Sequence, residues 1–134
     1  MKDNELQGNE KIEEAIAALQ QKPTQEMLAH TLTVIRRRMN EKGQFVIAVE
    51  PPTGDDQLKL QVTTTDDGKL WWMAFTSFEE ELKGSGNVMS TFMADIRQLF
   101  TLALQADTVS GIILNPWNRT IMLDKNLIQI TLGQ

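Results

Sequence analysis

Few side chains in this sequence are equipped for chemistry, so the first question is whether any of them could share a site. His30 is the one imidazole in the chain. Measured from Leu28, it lies about 200° around a helix, opposite the apolar stripe of its segment. No Gly-x-Ser-x-Gly elbow supplies a nucleophile for it, and it reads as a solvated surface histidine. Asp55-Asp56 and Asp66-Asp67 offer carboxylates for a hard cation or a two-carboxylate hydrolase. The two pairs bracket one strand, which at ~3.3 Å per residue puts them roughly 30 Å apart. Each pair also suits ordinary turn chemistry. Arg36, Arg37 and Arg38, with Lys42 nearby, form the basic cluster. Three consecutive helical residues fan over about 200°, so they read as a solvated helix end that complements the dipole. "KGSGN" (83–87) lacks the phosphate-loop spacing, because its lysine precedes the glycines. Asn118-Arg119-Thr120 matches a glycosylation sequon and, with no secretory signal expected, reads as an accidental match.

Composition narrows the field further. The chain has 134 residues, 41% of them hydrophobic and 23% charged, a profile that fits one globular domain. It contains no cysteine, which excludes a thiolate nucleophile, a disulfide, a zinc ribbon or an iron–sulfur site. A metal site would need carboxylates and so a magnesium, calcium or manganese ion; no metal and no cofactor is expected. The formal net charge of −5 weighs against nucleic acid and anionic membrane as partners. The polar, acidic N-terminus has no apolar signal region. The longest apolar runs are about five or six residues, far short of the ~20 that span a bilayer. The expectation is a cytoplasmic protein.

The elements that must position any site follow from hydrophobic spacing. Residues 1–8 read as a leader. Ile12, Ile16 and Leu19 mark a helix from Asn9 to Gln21, and Pro23 ends it. Thr24 caps a second helix, whose stripe is Leu28, Leu32, Ile35 and Met39. Gly43 is its stop signal. "QFVIAVE" (44–50) reads as a buried strand. "QLKLQVT" (57–63) alternates, with Leu58, Leu60 and Val62 inward. Asp67-Gly68 turns a hairpin into "LWWMAF" (70–75), which is apolar on both faces. Thr76 and Glu79, or Ser77 and Glu80, have the spacing of a capping box for a short helix. Val88, Phe92, Ile96, Leu99 and Ala103 predict a long amphipathic helix to about Gln105, with Met89, Met93 and Phe100 widening its face. "SGIIL" and "RTIML" are strands, and Asp124 caps a last helix, "KNLIQITL". The order is ααβββααββα. The fold class is α/β (α+β): a single domain with a mixed β-sheet of about five strands packed by helices.

Two features stand out within that frame. Trp71 and Trp72 face opposite sides of one strand. One joins the core, and the other either packs under a helix or forms a binding patch, a role tryptophan favours at interfaces. The second feature is the polar knot Asn115-Pro116-Trp117-Asn118-Arg119 between two apolar runs. Pro116 fixes its own φ and biases Asn115, while Asn118 tolerates tight turns, so the knot reads as a rigid corner. Either isomer of the Asn115–Pro116 bond is compatible with the sequence.

"FTSFEEE" (75–81) after an apolar strand, then a long helical stretch, then "GIILNPWNRTIML" (111–123) resembles the SseB (enhanced serine sensitivity) N-terminal domain family. The resemblance covers about residues 24–132. It is carried by Phe75, Thr76, Ser77, Gly111, Asn115, Pro116 and Trp117, together with the "LQVTTTDDGKLWWMAF" hairpin. It implies a bacterial, cytoplasmic α/β domain with no established catalytic residues. Residues 1–23 are then a leader and helix, and 24–134 the SseB-like domain. The second, C-terminal domain of some family members is expected to be absent.

The functional expectation is a non-enzymatic protein-interaction or regulatory module. Its binding candidates are Trp71, Phe75, Thr76, Ser77, Asn115, Pro116 and Trp117. The expected partner is a protein, with no nucleic acid and no membrane, and a homodimer is left open. The alternative is a small-ligand domain or an enzyme with a pocket beside Thr76, Ser77 and Asn115, where a strand end meets a helix N-terminus.

Overall fold

Thr24 accepts a hydrogen bond at its side chain from the Met27 backbone N–H, 3.1 Å away, and so starts the longest helix among the described residues. The computed structural model describes residues 7–50, 59–60, 62–77, 90–116 and 119–133. The helices are α1 (Asn9–Gln21), α2 (Gln25–Asn40), α3 (Ile96–Gln105) and α4 (Lys125–Leu132). The strands are β1 (Gln44–Glu50), β2 (Lys59–Leu60), β3 (Val62–Thr64), β4 (Leu70–Phe75), β5 (Ser90–Asp95), β6 (Gly111–Leu114) and β7 (Ile121–Asp124). They form one mixed sheet in a single α+β domain.

Register fixes the order of the strands. β1 pairs antiparallel with β5 from Gln44↔Asp95 to Val49↔Ser90. On its other edge β1 meets β4 at Val46↔Phe75 and Ile47↔Ala74. Farther along that edge it meets β2 at Val49↔Leu60. β3 pairs the start of β4, with Thr63 opposite Trp71. The two short strands therefore fill the gap where β1 and β4 diverge. β4 runs parallel to β6, and β6 antiparallel to β7.

One face of the sheet carries the main core. Ile12 and Ile16 of α1, Leu32 and Ile35 of α2, Phe100 of α3 and Ile128 of α4 pack with Phe45, Ala74, Ile112 and Leu123. Phe45 and Phe100 meet at a ring distance of 6.2 Å, tilted as aromatic pairs prefer. Trp72 is half-buried against this core. Val46, Met73 and Phe75 form a second buried cluster, on the opposite side of their strands by the alternation of β structure. Among the described residues, no helix is long and apolar enough to cross a membrane.

Three expectations need correction. The helix expected from Val88 begins only at Ile96, and residues 90–95 are strand β5. The apolar spacing imitates a helical period, but pairing with Gln44–Val49 of β1 satisfies the backbone as strand. Asp95 then ends the strand and caps α3, accepting from the Gln98 N–H at 3.1 Å. Phe92 and Met93, expected on a buried helix face, are 47% and 36% exposed. Val62, expected inward, is exposed, while Thr63 is half-buried opposite Trp71. Leu58 lies outside the described residues, as does the expected helix after Ser77.

The third correction concerns the arginines at the end of α2. Arg37 is exposed, as expected. Arg36 donates from Nε to the Thr131 carbonyl at 2.9 Å and from Nη2 to the Ile130 carbonyl, so it closes the C-terminus of α4. Arg38 is buried. Lys42, with φ 64°, takes the left-handed position after the helix. Gly43 is required for closeness, because a Cβ there would stand 2.7 Å from the Arg38 carbonyl oxygen.

Candidate functional site

The candidate residues converge where β4 and β6 end side by side. The parallel ladder runs from Trp72↔Ile112 to Ala74↔Leu114, and Asn115 extends it by donating its backbone N–H to the Ala74 carbonyl at 2.8 Å. Asn115 then turns left-handed at φ 54°, a conformation that asparagine tolerates better than most residues. The turn aims its side chain at Thr76. Asn115 Oδ1 accepts from the Thr76 backbone N–H at 2.9 Å, and Asn115 Nδ2 donates to Thr76 Oγ1 at 3.1 Å. Both residues are fully buried.

Two helices complete the cluster. Thr76 Oγ1 donates to Glu13 Oε2 on α1. Glu13 Oε1 also receives Arg119 Nη1 at 3.3 Å. Asn9, at the start of α1 and 1% exposed, donates from Nδ2 to the Gln44 carbonyl at 2.8 Å and to the Thr76 carbonyl at 3.0 Å. Its Oδ1 accepts from Arg38 Nε at 2.9 Å. Thr120 Oγ1 donates to the Asn115 carbonyl at 2.6 Å. One polar chain thus joins α1, α2, β1, β4 and the turn after β6.

A hydroxyl donating to a carboxylate is the pairing of an activated nucleophile. Here the hydroxyl is sealed from solvent, and its oxygen accepts from the Asn115 amide. What the arrangement can do is hold five chain segments in register, because each buried polar group meets a partner.

The remaining candidates spread around this centre. Phe75 is buried in the second apolar cluster. Ser77 and Pro116 are half-buried. Trp117 lies outside the described residues. Trp71 is buried, with its indole Nε1 donating to Thr65 Oγ1 at 3.1 Å. Thr65 Oγ1 in turn donates to Asp67 Oδ1. That bond, and then the Lys69 backbone N–H, hold the Asp67 carboxyl below its ordinary value of 3.8. Asp66-Asp67 is accordingly a turn, and Asp55-Asp56 lies outside the described residues. His30 is exposed on α2.

Four contributors escaped sequence reasoning, Glu13 among them because an acid near the start of a helix already suits the dipole. Asn9 looks like any polar helix start. Arg38 follows Ile35 by three residues and so flanks the apolar stripe, a signal that could have placed it inward. Thr120 was overshadowed by the sequon that contains it. Away from the cluster, α2 and α4 border a groove of about 400 Å³ lined by Leu28, Leu32, Leu127 and Ile130.

A comparison with known families matches the chain to the SseB protein N-terminal domain over residues 12–129. No curated protein and no solved structure matches it.

Proposed function

Because the chain belongs to the SseB N-terminal domain family, we propose that it is a non-catalytic protein-interaction or regulatory module of the cytoplasm, with the outer edge of β5 as its recognition surface. One observation carries this reading: β5 pairs β1 on one side only among the described residues, and its adjacent Phe92 and Met93 are 47% and 36% exposed. An edge strand presents a row of unpaired N–H and C=O groups, which is a template for another strand. Proteins usually blunt such edges with lysine, proline or a bulge; "STFMAD" has no lysine or proline. The net charge of −5 supports a protein rather than a nucleic acid as partner. In this reading the Thr76–Asn115 cluster is a latch that keeps the sheet rigid, and the surface does the binding.

The test is association through that edge. Wild type and Phe92→Lys are compared as bait in lysate and by sedimentation, with melting curves for both. The reading predicts that Phe92→Lys melts like wild type and loses its companion, whether another protein or another copy. Equal behaviour of the two proteins overturns it.

The groove between α2 and α4 supports a second reading, a small apolar ligand. Its volume of about 400 Å³ falls within the size range of ligand pockets. A thermal-shift screen of apolar metabolites, repeated on Ile130→Arg, checks it. Stabilisation of wild type that the variant lacks is the expected result.

A further inference from the structure

We infer that the partner at the β5 edge is a second copy of this chain, paired antiparallel through β5 about a two-fold axis at Met93. This rests on the reading of β5 as the recognition surface. β5 is self-complementary about such an axis. Two sheets that continue into each other across such an axis keep their faces aligned, so residues of like face must stand opposite. A two-fold centred on Met93 meets that condition. It sets Met93 against the partner's Met93, Phe92 against the partner's Ala94, and Thr91 against the partner's Asp95.

None of those pairs sets like charges opposite each other. A large ring lies beside a small methyl group twice over, and a hydroxyl donor lies beside a carboxylate twice over. Asp95 is the one charged residue of β5. The axis places the two copies of it four residues apart along the ladder, about 14 Å at the ~3.4 Å rise of an antiparallel strand, so like charges do not meet. A parallel arrangement would set the two carboxylates side by side, which is destabilising. The exposure of Phe92 on one face and Met93 on the other means that pairing buries apolar surface on both sides of the new ladder. A closed two-fold contact uses the β5 edge of both copies at once, so pairing through β5 stops at the dimer.

The absence of native cysteine in the sequence makes the geometry directly testable. Directly opposed residues of an antiparallel pair lie about 4.5–5.5 Å apart at Cα, within the ~4.4–6.8 Å span of a disulfide. Met93→Cys under mild oxidation is expected to give a covalent dimer, and Met122→Cys, at an exposed position on β7, to stay monomeric on the same timescale. Wild type should sediment as a concentration-dependent dimer, and Met93→Lys as a monomer with an unchanged melting curve. A monomeric wild type at the highest soluble concentration overturns the proposal, as does equal cross-linking at Met93 and Met122. If wild type is monomeric yet holds a different protein that Met93→Lys releases, the second copy is refuted and the recognition edge stands. If wild type is monomeric and holds nothing that Met93→Lys releases, both fall.

Discussion

Asn115 brackets Thr76 from both sides, taking its backbone N–H on Oδ1 at 2.9 Å and giving Nδ2 to its hydroxyl at 3.1 Å. The two residues end neighbouring parallel strands, so this one side chain fixes where β4 and β6 stop relative to each other. Its φ of 54° is part of the device, because the left-handed turn is what swings the amide toward Thr76. Backbone and side chain can be separated by substitution. Asn115→Gly keeps the turn and removes the amide, leaving the buried Thr76 N–H unpaired, and should cost about 1–3 kcal/mol. Asn115→Ala adds the penalty of a Cβ residue in the left-handed region, about 1–2 kcal/mol more. Urea unfolding of the three proteins checks the order wild type, Gly, Ala; a glycine variant as stable as wild type would show that the amide holds nothing.

Gly111 makes a second, independent demand on the same strand. A Cβ at Gly111 would lie 2.1 Å from the Leu123 carbonyl oxygen and 2.9 Å from Asp124 Cα, so any side chain must push β7 away from β6. Gly111→Ala is expected to lose at least about 3 kcal/mol, the upper part of the range for overpacking. Gly68→Ala is the control. Gly68 has φ 83° but nothing within 4 Å of a built Cβ, so only the left-handed cost of about 1–2 kcal/mol applies. Thermal melts of the two variants should differ clearly.

Asp67 gives a pH-dependent signature at the hairpin. Its carboxyl is held below 3.8, first by the Thr65 hydroxyl and then by the Lys69 N–H. A carboxyl depressed on folding contributes stability above its unfolded value and loses it as pH falls through the folded value. The turn should therefore weaken only below about pH 3.8, the reference value of this group. Thr65→Val removes the first cause, and the Asp67 carboxyl followed by NMR should then titrate closer to 3.8. The same variant strips the Trp71 indole N–H of its acceptor, so tryptophan fluorescence should change in parallel. An unmoved titration would sink this account.

How much of this was legible in the sequence depends on range. Local signals worked: Thr24, Asp124 and Pro23 bound the helices where their capping and breaking chemistry predicts, and Asp124 accepts from Leu127 N–H at 2.8 Å. The opposed faces of Trp71 and Trp72 followed from strand alternation alone. What failed depends on distant partners. Phe92, Ile96, Leu99 and Ala103 fit a helical period, and only the free edge of β1, more than 40 residues earlier, makes the first half a strand. Asp95 with Gln98 three residues on carried the correct boundary as a capping signal. The candidate cluster was half legible. Thr76, Asn115 and Pro116 stand out as a motif, but Asn9, Glu13 and Arg38 join them only through tertiary packing across sequence separations of up to 67 residues, which no local spacing reveals.

Asn9 is the sharpest test of whether that packing matters. Its Nδ2 serves two carbonyls, Gln44 at 2.8 Å and Thr76 at 3.0 Å, while its Oδ1 accepts from Arg38 Nε at 2.9 Å. Asn9→Asp keeps the acceptor and adds a charge beside Arg38, but removes the donor and turns a carboxylate toward two carbonyl oxygens. If the carbonyls dominate, Asn9→Asp destabilises by about 1–3 kcal/mol despite its improved partner for Arg38. If the arginine dominates, it is neutral or stabilising, since a charge-assisted bond is the stronger kind. We expect the first outcome, because Asn9 and Thr76 are almost wholly buried and an unserved carbonyl there has no water to replace the amide. Hydrogen exchange gives the spatial readout. Loss of protection in the Asn9→Asp variant should concentrate at the start of β1 and the end of β4, the two segments whose carbonyls it abandons, and not spread evenly over α2.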